Sequence, residues 1–317
     1  MTTGVLSARG VVDGRPIFKA YQSRILGPGA IWVVKKVSGL KFSMAFKVVA
    51  LALLFVANAL GLLLFSRESG SWRTGALYTA LSAFMFVGLQ AQTYLPIWDV
   101  IDLSLMLIFA WAVITRAGFA VLIPLYVIAL LNREIALFIP LWIVIDAFKF
   151  PNGRGRTPGL AARGHAIVGI VLLVGGIVWT QWARNWRFEG AAVEVPKVIE
   201  TVSDQFWMLP LTFKILLTGA KFDSVVAVVM AMWVMAMIYR EWRSGMEHRR
   251  KIALLITAMF ASIVMFGFIT ELRIWLSLVP FLLWPLVVDR TVTRVHPEHL
   301  TATAPPDSSL IFPGSHG

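Results

Sequence analysis

The sequence predicts an all-α, polytopic transmembrane helix bundle, and three observations carry that prediction. Of 317 residues, 58% are apolar and only 15% are charged, against ~45–50% apolar and ~25% charged in an ordinary soluble domain. The apolar residues fall in long runs separated by charge or by Gly and Pro clusters, as in a chain that enters lipid repeatedly. Lys and Arg concentrate in alternate connections between those runs, the bias of a multi-pass membrane protein. The same facts exclude a water-soluble enzyme and a disordered or fibrous chain.

Residues 1–43 read as an N-terminal interfacial or extracytoplasmic segment. They contain no uninterrupted apolar core of signal-peptide length, and IWVVKKVSGLKF mixes basic and apolar residues in the manner of an interfacial amphipathic helix. The transmembrane domain is expected over 44–290. Its runs place helices near 44–65, 74–89, 103–115, 119–131, 135–148, 166–182, 224–239, 252–270 and 274–288. That makes about nine, to within one, because several are shorter than the ~20 residues that cross a bilayer untilted. The stretch 208–217 is too short to span and reads as a re-entrant or surface helix. The Pro-, Ser- and Thr-rich end, 291–317, reads as a disordered cytoplasmic tail.

Twenty-nine Lys and Arg against 17 Asp and Glu give a net charge of +12. In a membrane protein this excess serves cytoplasmic loops and anionic lipid headgroups, so membrane lipids rather than nucleic acid are the expected partners. Taking connections alternately, one face receives Arg67, Arg73, Arg116, the basic loop 149–163, Arg240 to Lys251 and the tail arginines. That face is cytoplasmic by the positive-inside rule. The assignment leaves the basic stretch from Arg9 to Lys47 on the other side, which implies a further helix upstream of Met1, an interfacial seat for 25–43, or a count off by one. Without Cys, disulfides, thiolate nucleophiles and sulfur-ligated metals are excluded.

The chemistry concentrates in the opposite connections, which hold Asp99 and Asp102, then Asn132-Arg133-Glu134, then Glu271-Leu272-Arg273. Ionisable groups near the membrane boundary are costly to dehydrate, so they pair, line a wet cavity, or both. Asp99 and Asp102 are three apart at a helix start, on one face, where helix N–H groups favour negative charge. Their bland reading is N-capping, Asp99 above all. Their functional reading is a general base for an acceptor hydroxyl or a ligand for a hard divalent cation, and spacing leaves both open. Arg133 and Glu134 interrupt an apolar stretch from 119 to 148; each centrally placed charge costs roughly 2.5–3.5 kcal/mol on insertion scales. They form either a turn with a local ion pair or a guanidinium fork for phosphate. Glu271 and Arg273 mark a boundary or join the same site, and Arg24 is a further candidate. The HPEH string of His296 and His299 is too isolated for a metal site. No phosphate loop, dinucleotide fingerprint, nucleophile elbow or zinc-ligand string is present.

In that order, YQSRILGP, WDVIDLSLMLIF, LLNREIALFIP and ELRIWLSLVP resemble a group of bacterial polytopic membrane proteins similar to the GT-C class of glycosyltransferases. The resemblance runs from about Tyr21 to Pro285 and rests on these four short motifs. It implies an extracytoplasmic cavity in the bacterial inner membrane, a lipid-linked sugar donor, a carboxylate base, often a divalent metal, and arginines on the lipid phosphate. By position, Asp99, Asp102 and Glu271 are then the catalytic acids, and Arg24, Arg133 and Arg273, with Glu134, the substrate-binding set. The start departs from the GT-C pattern: no apolar helix precedes Tyr21, and Asp13 is the only acid before it. The expected function is transfer of a sugar from a polyprenyl-phosphate donor to an envelope acceptor. The alternatives are a transporter or flippase for an amphipathic lipid-linked substrate, and a noncatalytic membrane assembly protein.

Overall fold

The computed structural model describes residues 3–13, 24–90, 97–148, 160–186, 222–266 and 272–283. Their regular structure is entirely helical: α1 (Thr3–Asp13), α2 (Leu26–Ser38), α3 (Phe42–Ser69), α4 (Trp72–Gln90), α5 (Ile97–Ile114), α6 (Phe119–Leu130), a 3₁₀ turn (Glu134–Leu137), α7 (Phe138–Ala147), α8 (Leu160–Trp186), α9 (Phe222–Arg243), α10 (Glu247–Phe266), α11 (Leu272–Trp275) and α12 (Val279–Leu282). Each region expected to be helical from 44 to 266 contains one of these helices.

Among the described residues, four segments are long and apolar enough to cross a membrane: Phe42–Ser69, Ile97–Ile114, Ala162–Ala183 and Ser224–Arg243. They differ in what surrounds them. In α5, 83% of the apolar window is buried inside the protein, against 28% in α3 and 17% in α8. Thus α5 is the central post, packed by α2, α3, α6 and α12, while the outward faces of α3 (Leu51, Phe55, Leu63) and α8 (Ile167, Val171, Val178) stand uncovered. In water such stripes would be an aggregation hazard; they suit lipid. The main core gathers Met106, Phe109, Tyr126, Trp142, Ile256 and Phe281 from five helices.

Two helix pairs close by backbone approach. Gly61 lies under the Tyr78 ring, joining α3 to α4, and Gly176 lies against the Tyr126 hydroxyl, joining α8 to α6. That hydroxyl donates to the Leu172 carbonyl at 2.6 Å. Side chains at either glycine would hold the pairs apart.

Several boundaries differ from the sequence expectation. The fifth helix starts at Ile97 rather than near 103, because Trp98, Val100 and Ile101 are buried with the apolar run and carry the helix across both aspartates. Asp99 is therefore a first-turn residue, not a cap. The last expected helix, 274–288, resolves at its start into the short α11 and α12 with a turn between them; Pro280 opens α12, where a missing N–H costs nothing. The pair around Asn132 is interrupted by extended Arg133 and the 3₁₀ turn. The interfacial segment contains α2, closed by Gly39 in the left-handed conformation, and α1, which the sequence did not suggest. The stretch 208–217 and the tail lie outside the described residues.

Orientation follows from contacts along α3 and α5. Phe46 shares a cluster with Trp98, Phe65 with Leu107, and Trp111 Nε1 donates to Glu68 Oε1 at 3.2 Å. The two helices run the same way, so the starts of α3 and α5 mark one end of the bundle. Ile25 and Leu26 donate their N–H groups to the Leu131 carbonyl at 3.0 and 3.1 Å, which brings the start of α2 and the α6–α7 break to that end. At the opposite end Lys251 Nζ donates to the Asp146 carbonyl at 2.6 Å and pairs with Asp146 and Glu247 at 3.2 and 3.3 Å.

Candidate functional site

At the end where α5 begins, three stretches far apart in sequence meet. From α5 come Trp98, Asp99 and Asp102; from the α6–α7 break come Asn132, Arg133 and Glu134; from the residue ahead of Ile25 comes Arg24. Helical geometry stacks Asp99 and Asp102 one turn apart on one side. The break, with Arg133 extended at φ −165° and ψ 158°, swings its side chain across them.

Arg133 Nη1 lies 2.8 Å from Asp99 Oδ1 and 3.3 Å from Asp102 Oδ2, so one guanidinium nitrogen serves both carboxylates. The other Asp102 oxygen accepts from Asn132 Nδ2 at 2.7 Å, and the same nitrogen donates to the Trp98 carbonyl at 2.9 Å. Asn132 is wholly buried, and Asp99 and Asp102 are 3% and 4% exposed. Arg24, 7% exposed, stands with its guanidinium 5.7 Å from the Trp98 ring centroid, a cation–π distance. Its Nη2 is 3.9 Å from Glu134 Oε2. Burial, then the positive charge of Arg133, lowers the Arg24 guanidinium to about 10, against the opposing pull of Glu134, Asp99 and Asp102. Charges this far from water persist because each is paired.

Four of the expected roles therefore fall on a single cluster and a fifth, Glu134, at its edge. Glu271 lies outside the described residues. Arg273 has its backbone in α11, and its side chain lies outside them too. By sequence Asn132 is only part of a charged break, whereas the structure makes it the hinge of the hydrogen bonding: its Nδ2 bridges α5 backbone and side chain, and its Oδ1 is buried with no hydrogen-bond partner among the described residues. Trp98 is the platform for Arg24.

A hard divalent cation takes six or more oxygen ligands. Among the described residues no three acidic or imidazole groups come together, and the two aspartates here are already bound to Arg133 and Asn132. The described donor set by itself does not fit a resident metal. What the cluster can do is hold an anion by guanidinium, orient a carboxylate, and receive a proton in a dry setting.

No family model, curated protein or solved structure matches this chain.

Proposed function

We propose that the chain is a GT-C-like glycosyltransferase of the bacterial inner membrane, with about nine passes, which moves a sugar from a polyprenyl-phosphate donor to an envelope acceptor at the extracytoplasmic face. The observation that carries this reading is convergence: carboxylates and guanidinium groups from three separate stretches meet at one end of a bundle with lipid-suited faces.

In this reading the donor phosphate binds Arg24 and Arg133. A guanidinium offers five N–H donors in a fixed fork, so Arg133 can keep its aspartates while contacting phosphate. Asp102, with hydrogen bonds on both oxygens, positions Arg133. Asp99, one turn nearer the helix end, is the base. The acceptor hydroxyl gives its proton to Asp99 as its oxygen forms the new glycosidic bond. The bond from the anomeric carbon to the phosphate oxygen breaks, its electron pair leaves with the phosphate, and arginine offsets the charge. Glu134 orients Arg24, and Glu271 and Arg273 supply a second acid and a further phosphate partner.

The test is to present protein in nanodiscs with a polyprenyl-phosphate sugar and an acceptor alcohol. The expected products are free polyprenyl phosphate and a sugar-bearing acceptor, with turnover falling roughly 10²–10⁴-fold in Asp99→Asn, the usual contribution of a positioned base. One observation favours a second reading, transport of the same lipid-linked substrate: Asn132, Arg133 and Glu134 lie in a break between two short helices, as binding residues of transporters often do. Donor that changes leaflet uncleaved would establish that reading and end the transferase proposal.

A further inference from the structure

Helix α2 shows a surface that the cluster does not use. Only Gly27, Pro28 and Ile31 of this helix are buried. Going round the helix at 100° per residue, Trp32, Lys36, Val33 and Val37 follow in turn past the buried arc, while Lys35, in line with that arc but one turn beyond Ile31, is exposed. Trp32 and Val33 are exposed, and Val37 is 84% exposed. Lys36 Nζ stands 5.0 Å from the Trp32 ring centroid. Lys41 and Lys47, exposed beside the helix at the start of α3, extend the basic surface. No acidic residue occurs from 26 to 47.

In water this face would leave a tryptophan and two valines uncovered among like charges. In a bilayer interface each component has a place: the indole and valines sit at the acyl boundary while lysine stems reach outward to phosphate. Each Lys near an anionic surface contributes about 1 kcal/mol of attraction, so several suffice for stable seating.

We propose that α2 is a docking surface for the headgroup layer of an anionic phospholipid bilayer. The surface is continuous with the cluster, since Ile25 and Leu26 at the start of α2 hold the Leu131 carbonyl and Arg24 precedes them directly. The proposal does not rest on the transferase reading; a transporter or an assembly protein would carry the same face.

The chain contains no Cys, so Val37→Cys gives one labelling position on α2 and Phe55→Cys one on the lipid face of α3. Each variant of the full chain is labelled with an environment-sensitive fluorophore and placed in nanodiscs of phosphatidylcholine, with or without phosphatidylglycerol. The expected result at position 37 is a blue shift and a several-fold drop in quenching by aqueous iodide when phosphatidylglycerol is present. Both are lost in Lys35→Glu/Lys36→Glu, while the label at 55 is shielded in every disc. Equal quenching at 37 in both lipids overturns the proposal. Shielding at 37 that persists in detergent and grows with protein concentration also overturns it, assigning the face to a second copy of the chain.

Discussion

Asn132, wholly buried, donates from one amide nitrogen to the Trp98 carbonyl and to Asp102. Asn132→Ala takes a donor from the buried Asp102 carboxylate as well as from the Trp98 carbonyl, and an unsatisfied buried acceptor costs about 1–3 kcal/mol. The melting temperature of the detergent-solubilised protein should therefore fall, and fall further in Asn132→Asp, which turns a carboxylate toward Asp102. An unchanged melt in both would mean that the amide does not hold the cluster. This role was not legible in the sequence. An asparagine between apolar runs reads as a turn residue, and its partners lie 30 and 34 positions away. The acidic pair and Arg133 were legible because charge beside apolar helices demands a partner; which partner depends on the fold. His248 gives a second prediction at this scale. It lies at the charged start of α10, 5.8 Å from the Trp142 ring centroid, and burial, then Arg116 and with it Lys251, lowers it to about 4 against Asp146 and a backbone hydrogen bond to Val113. The folded protein holds it neutral while the unfolded chain takes up a proton near its ordinary value of about 6.5, so its contribution is complete above that pH. Stability should decline from there down to about 4, and less steeply in His248→Phe; identical pH profiles for the two proteins would refute the assignment.

Helices dock here by small residues placed at single points, and α8 contains its own control. Gly176 faces the Tyr126 hydroxyl and Leu137, whereas a side chain at Gly175 would meet nothing within 4 Å. Gly176→Ala must displace Tyr126 from its hydrogen bond with Leu172, and overpacking of this kind costs about 1–3 kcal/mol. Gly175→Ala should leave the melt within about 0.5 kcal/mol of the parent, as exposed changes do. Equal effects would mean that α8 does not meet α6 through Gly176. The sequence located the helices because apolar runs bounded by charge are a strong signal. It misplaced the start of α5 because a run containing Asp99 and Asp102 looks like the outside of a helix until its neighbours cover it. It also could not tell a post wrapped by protein from a span facing lipid. Both α5 and α8 are long and predominantly apolar, and only packing distinguishes the 83% from the 17%.

The whole molecule has two polar ends, and the orientation of the chain in the membrane decides what the cluster can reach. A helix of 28 residues such as α3 extends about 42 Å, longer than the ~30 Å hydrocarbon layer, so its ends emerge on opposite sides. The cluster and α2 are at its start, and the Lys251–Asp146–Glu247 group is at its end. Two charge biases compete. Arg67, Arg73, Arg116 and Arg240 to Lys251 pull the far end toward the cytoplasm, while Lys35, Lys36, Lys41 and Lys47 pull the cluster end the same way. The far end has the larger basic set, and an interfacial seat for α2 gives its lysines lipid phosphate on the outer leaflet, so the cluster end is expected outside. In a Cys-free chain this can be measured directly. A membrane-impermeant maleimide should label Lys41→Cys in intact cells and Met246→Cys only after permeabilisation. The reverse pattern would turn the cluster to the cytoplasm and remove an extracytoplasmic donor from its reach. Labelling of both in intact cells would contradict the common direction of α3 and α5, and with it the gathering of Arg24, Asp99 and Arg133 at one end.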